Sequence, residues 1–250
     1  MPDIFQIEKL KNRFKSRNSF SLDELHEFYK EFEPELNRST LRWRIYELKD
    51  KGVLRSVKRG WYSIHEKDLW HPVISEDLRE MYDSVHQEFP YLEACIWTTQ
   101  WLVSFFHHVP IGYLNIIDTE KGTEESVFNF VREQFQVPVM LNPTEKEIHN
   151  YIDWNRDHVI VRTLISQSPL VEINGVKIPK LEKIMVDLYS DVKLFELIQG
   201  RELTIVNQNL FDKYAINWST LKRYAIRRNR WNDLRNYLTD KINNTGVDQS

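Results

Sequence analysis

Arg42, Trp43 and Tyr46 lie close together in a basic stretch, and Lys58 and Arg59 follow a little further on, just before Gly60. An arginine can donate two hydrogen bonds to a guanine edge. An exposed tryptophan or tyrosine can lie on sugar and methyl groups, and paired cations at a turn can meet phosphates. With Arg38 and Ser39 just upstream, these are the candidate contacts to duplex DNA. From Asn37 to Trp61 there are eight basic residues against Glu47 and Asp50, a local charge of +6 in a chain whose total is -3. Because distant carboxylates are screened within about 10 Å at ordinary salt, the local field decides phosphate binding, and a pI near 6.3 does not argue against it.

Other residues suggest other chemistry. Asp118-Thr119-Glu120 follows the apolar run Asn115-Ile116-Ile117, where a nucleotidyltransferase would carry metal-binding carboxylates. Such enzymes need two or three carboxylates on a metal pair and a Gly-Ser turn for the phosphates. No Gly-Ser and no Asp-x-Asp pair occurs in the chain, so Asp118 reads as a turn former or helix cap. His107-His108 ends an aromatic segment, where histidines cap carbonyls. With only seven glycines there is no Gly-rich phosphate loop, and no serine sits in a nucleophile elbow. The expectation is a non-enzyme with no catalytic residue, no metal and no cofactor.

The elements that must position the DNA contacts follow from periodicity. Leu41, Ile45 and Leu48 recur at helical spacing, which turns Ser39, Arg42, Trp43 and Tyr46 away from the packed face. Gly52 stops this third helix in a left-handed cap, and residues 53–57 return through Lys58-Arg59-Gly60 into residues 61–64 as a hairpin. Upstream, Ile4, Ile7, Leu10 and Phe14 form the stripe of a first helix. Ser21 and Glu24 make the capping box of a second, which Pro34 ends. Helix, turn, helix and hairpin in this order predict an N-terminal winged helix-turn-helix over residues 1–66.

After a polar, Pro-stopped stretch ending at Pro72, helices at 75–88, 101–107 and 123–135 alternate with strands at 94–97, 113–117 and 137–141. Strands at 159–161 and 170–178 follow, the last turned by Asn174-Gly175, and 181–242 reads as helical throughout. This alternation predicts a mixed α/β (α+β) fold, with residues 67–250 as a second domain ending in helices and residues 243–250 frayed. Residues 67–200 carry a net charge of -10 and 201–241 a net of +5. The run Lys222 to Trp231 reads equally as a phosphate-binding surface or as a solvated helix face with Leu221, Tyr224 and Ala225 inward. One cysteine, Cys95, excludes an intramolecular disulfide and fits a reducing compartment. The chain opens without a cationic-then-apolar leader, and no apolar run approaches the roughly 20 residues of a membrane helix. A soluble, unprocessed, cytoplasmic protein with no membrane partner is expected.

The wing sequence Arg59-Gly60-Trp61-Tyr62 and the segment Leu181-Glu182-Lys183 to Asp187-Leu188 together resemble the AbiEi family of type IV toxin-antitoxin antitoxins, over about residues 5–240. The resemblance implies a bacterial protein of abortive-infection systems that represses its own promoter through the N-terminal winged helix. It further implies that the second domain counteracts a nucleotidyltransferase-like toxin without a stable complex, with Glu182, Lys183 and Asp187 as its motif residues. Taken physically, Glu182 complements a helix dipole and Lys183 and Asp187 stand at ion-pair spacing, so a staple between helix and sheet explains them equally well. The alternative is a stand-alone winged-helix transcriptional regulator whose second domain binds a ligand or protein, which predicts a pocket with convergent polar groups.

Overall fold

The computed structural model describes residues 4–15, 17–64 and 68–242. The expected boundary at 66/67 and the expected frayed end at 243–250 lie outside the described residues. The chain is mixed α/β.

The N-terminal unit holds α1 (Ile7–Phe14), β1 (Phe20–Ser21), α2 (Leu22–Lys30), α3 (Arg38–Asp50) and the hairpin β2 (Leu54–Lys58) and β3 (Trp61–Ile64). β3 lies between β1 and β2, both antiparallel to it. The capping box forms as expected: Ser21 Oγ accepts from Glu24 N, and the Glu24 carboxylate accepts from Ser21 N at 2.8 Å. α1 begins later than its stripe suggested, because Gln6 takes a left-handed conformation (φ 47°) and leaves Ile4 exposed. Leu10, Phe14, Phe20, Leu25, Tyr29, Leu41, Ile45 and Leu48 close a core of their own.

The larger unit centres on a four-stranded sheet, order β4 (Ala94–Thr98), β5 (Leu114–Thr119), β7 (His158–Thr163), β6 (Val139–Leu141), with β4 antiparallel and the rest parallel. Alternation along the strands decides both faces. Ala94, Ile96, Ile117, Val159 and Val161 pack under α4 (Glu76–Glu88) and α5 (Glu124–Gln134). Trp97, Leu114, Ile116 and Ile160 pack under the helices that end the chain. Those are α7 (Leu181–Ser190), α8 (Arg201–Lys213), α9 (Trp218–Arg227) and α10 (Trp231–Ile242). They are not one continuous helical run, since a 3-10 turn at Glu196–Ile198 and bends interrupt them. The segment expected as a helix at 101–107 is a 3-10 turn at Thr99–Phe105. α6 (Glu145–Tyr151), absent from the sequence-based expectation, is opened by a Thr144–Glu147 capping box. Asn174 and Gly175, both at positive φ, turn the hairpin β8 (Leu170–Ile173) and β9 (Val176–Pro179), which lies beside β4.

The two units touch at the C-terminal end of α3. Asp50 pairs with Lys180 at 2.6 Å, Lys49 Nζ donates to Ser219 Oγ at 3.4 Å, and Gly52 lies against Ala215 and Leu69. α3 thus ends against the second unit.

Candidate functional site

α3 is opened by Asn37, whose Oδ1 accepts from Thr40 N at 2.8 Å and also from the Ser39 hydroxyl at 2.6 Å. Leu41, Ile45 and Leu48 are buried as the spacing requires. Arg42, Trp43 and Tyr46 face outward, the two aromatic rings 48% and 46% exposed. Trp43 rests on Phe5, ring centroids 5.8 Å apart, rather than on the hairpin or the second unit. Arg38 is exposed but donates to Asp23 at 2.8 Å, so its charge is offset.

The hairpin tip brings Lys58 and Arg59 to the surface, with Lys58 Nζ 4.7 Å from the Trp61 ring centroid. Gly60 O accepts from Leu22 N at 2.8 Å, which ties the tip to the start of α2. Arg42, Lys51, Arg55, Lys58 and Arg59 are exposed and have no ion-pair partner among the described residues. Arg44 does not belong with them. It lies on the packed side of α3, bonded to Glu33 and over the Tyr29 ring at 5.1 Å, so the +6 counted along the sequence overstates the field that solvent meets.

The second concentration of charge is buried. Cys95 and Trp97, Asp118, and Arg162 share the sheet face that meets α7, near the carboxyl ends of β5 and β7, and Asp118 and Arg162 are register partners. Arg162 reaches Asp118 at 2.5 Å, Asp187 at 2.7 Å and Asp191 at 2.8 Å. Lys183 donates to Asp118 and Asp187, both at 2.7 Å. Arg228 pairs with Asp191 at 2.5 Å, and the Tyr224 hydroxyl donates to Asp187 at 2.9 Å. Burial alone would disfavour the charges of Asp118, Asp187 and Lys183, but the opposite charges packed against them keep them charged. Burial raises the Asp187 carboxyl, yet Lys183, Arg162 and Arg228 outweigh it and hold it well below the usual 3.8; by the same logic Lys183 is held above the ordinary lysine value. Burial, with Asp118 beside it, pushes the Cys95 thiol up, so it is protonated and inert.

Asp118 is thus neither a turn former nor a cap: it lies within β5 as an anchor of this network. Lys183 and Asp187 form the expected staple between helix and sheet. Glu182 faces elsewhere, accepting from Asn217 N at 2.7 Å ahead of α9, with burial raising its pKa. His107 and His108 cap no carbonyl; the His107 backbone N–H donates to Glu202, which also lies 3.6 Å from the His108 ring. Arg162, Asp191 and Arg228 escaped sequence reasoning, and the i,i+4 pair Lys183–Asp187 was the one local sign of the network.

Beside the network opens a cavity of about 770 Å³, lined by Asn142, Glu145, Arg162, Asp191, Arg228 and Arg230 among others. It sits past the carboxyl ends of β6 and β7, where open α/β sheets receive ligands. No group of three or more His, Cys, Asp or Glu side chains able to hold a metal occurs among the described residues, and none of their helices is long and apolar enough to cross a membrane.

Comparison with known families matches residues 40–244 to DUF6577, a family of unknown function, and the chain belongs to it. No curated protein matches the chain.

Proposed function

We propose that this member of the DUF6577 family is a cytoplasmic DNA-binding repressor of its own promoter, built as a winged helix-turn-helix joined to an α/β domain that counteracts a nucleotidyltransferase-like toxin. The observation that carries the DNA-binding half is the outward face of α3. Arg42, Trp43 and Tyr46 stand exposed over a packed stripe, and the β2–β3 hairpin holds Lys58 and Arg59 at its tip. A helix with such a face suits the major groove, while the hairpin meets flanking phosphates. The antitoxin half rests on the resemblance at residues 59–62 and 181–188. A promoter–reporter strain tests the first half: the chain lowers reporter output, and Arg42→Ala restores it while leaving the fold intact. Co-expression with the neighbouring toxin tests the second, with rescue of growth by both the wild type and Arg42→Ala.

A second reading is a ligand-responsive regulator, favoured by the cavity beside the buried network. It predicts that repression changes with a small polar metabolite and that growth rescue is absent.

A further inference from the structure

α3 carries Arg42, Tyr46 and Lys49 at i, i+4 and i+7, one stripe on which Arg42 and Tyr46 are exposed and Lys49 is partly buried at the junction. That stripe does not end with the N-terminal unit. Lys49 Nζ reaches Ser219 Oγ at 3.4 Å, and Ser219 opens a stripe on α9 that continues through Lys222 and Arg223 to Ile226 and Arg227. The opposite side of α9, with Leu221, Tyr224 and Ala225, is buried, so the basic side is the one left to solvent. Between α9 and the turn at Gln167 lies a cleft of about 400 Å³ lined by Ser219, Lys222, Arg223, Ile226 and Arg227. Arg227 donates to Ser166 Oγ at 2.7 Å, a neutral partner that orients the guanidinium without offsetting its charge. Arg228, next in the chain, is held by Asp187 and Asp191 and belongs to the buried network instead. At the junction the α3 carboxylate Asp50 is already paired with Lys180.

We propose that the basic side of α9 is a second phosphate-binding surface, continuous with α3, which receives the backbone of the same DNA duplex that α3 reads. At about 1.5 Å per helical residue the α3 stripe runs about 10 Å and the α9 stripe about 12 Å, each roughly three base-pair steps at 3.4 Å rise. The surface therefore extends the contact beyond the helix and wing rather than forming a separate site. The acidic bulk of the second domain does not oppose this, because its charge resides in residues 67–200 whereas 201–241 carries +5.

The inference rests on the DNA-binding reading, and its test separates the two. Binding of the full chain to a fluorescein-labelled duplex of random sequence is followed by anisotropy over a range of salt, for the wild type, for Lys58→Ala with Arg59→Ala, and for Lys222→Ala with Arg223→Ala and Arg227→Gln. The α9 variant should lower the slope of log K against log salt by about 0.9 for each phosphate contact removed. Arg223→Lys, which keeps the charge, should leave the slope unchanged. A wing variant that lowers the slope while a folded α9 variant does not would overturn this inference and leave the DNA-binding reading standing. No binding by the wild type even at low salt would overturn both.

Discussion

Asp187 shows most directly what single side chains contribute. It accepts from Lys183, Arg162, Arg228 and Tyr224 at once, with no exposed surface, so removing it leaves three cations against only Asp118 and Asp191 in a low-dielectric interior. Breaking a buried pair in this way costs roughly 3–5 kcal/mol. Asp187→Ala is expected to lower stability by that order in urea denaturation, with far-UV circular dichroism retained before the transition. Asp118 and Asp187 set the acid limit. Their folded pKa values lie below the usual 3.8, so their stabilisation is complete above that value and lost as pH falls through the lower folded value. Stability should hold steady from neutral pH to about pH 5 and drop below about pH 4. A midpoint that follows pH across the neutral range would show that other groups dominate.

Among the elements, the end of α3 is the most constrained. Gly52 holds φ +66°, and a Cβ there would lie 2.8 Å from Ala215 Cβ and 2.9 Å from a Leu69 methyl. The left-handed conformation alone costs a non-glycine residue about 1–2 kcal/mol, and the contact adds to it. Gly52→Ala should therefore destabilise the chain by about 2–3 kcal/mol in thermal or urea unfolding, whereas alanine at the solvent-facing Arg42 should cost under about 0.5 kcal/mol. Gly52 as a helix stop was legible in the sequence, as were the Ser21 capping box, the Asn174-Gly175 turn and the short apolar strand runs, because each is decided by neighbours along the chain. α6 was missed: Thr144 and Glu147 mark its capping box, but its short, polar sequence shows no apolar stripe. Arg44 was also readable as inward, since it lies three residues from Leu41 and four from Leu48 on the packed stripe. What no local pattern carries is the meeting of Asp118, Arg162, Lys183, Asp191 and Arg228. These residues come together only through the β5–β7 register and the placing of α7 and α9 on the sheet.

For the whole molecule, the two units act through a shared contact at Asp50–Lys180 and Lys49–Ser219, with Gly52 against Ala215. Lys180 is the N-cap residue of α7, and α7 carries Lys183 and Asp187 into the buried network and ends beside the cavity. α7 thus links the end of α3 to the interior of the second domain. Lys180→Ala should increase protease cleavage between the units while leaving each unit's core protected, since only this contact is weakened. The central claim, that the chain reads duplex DNA through α3 and the β2–β3 hairpin, is tested most directly by titrating duplex DNA from its own promoter with the full chain at rising salt. Binding should weaken steeply with salt and be lost or much reduced in the variant combining Arg42→Ala, Lys58→Ala and Arg59→Ala. Absence of binding at low salt, or binding indifferent to both salt and those substitutions, would contradict it.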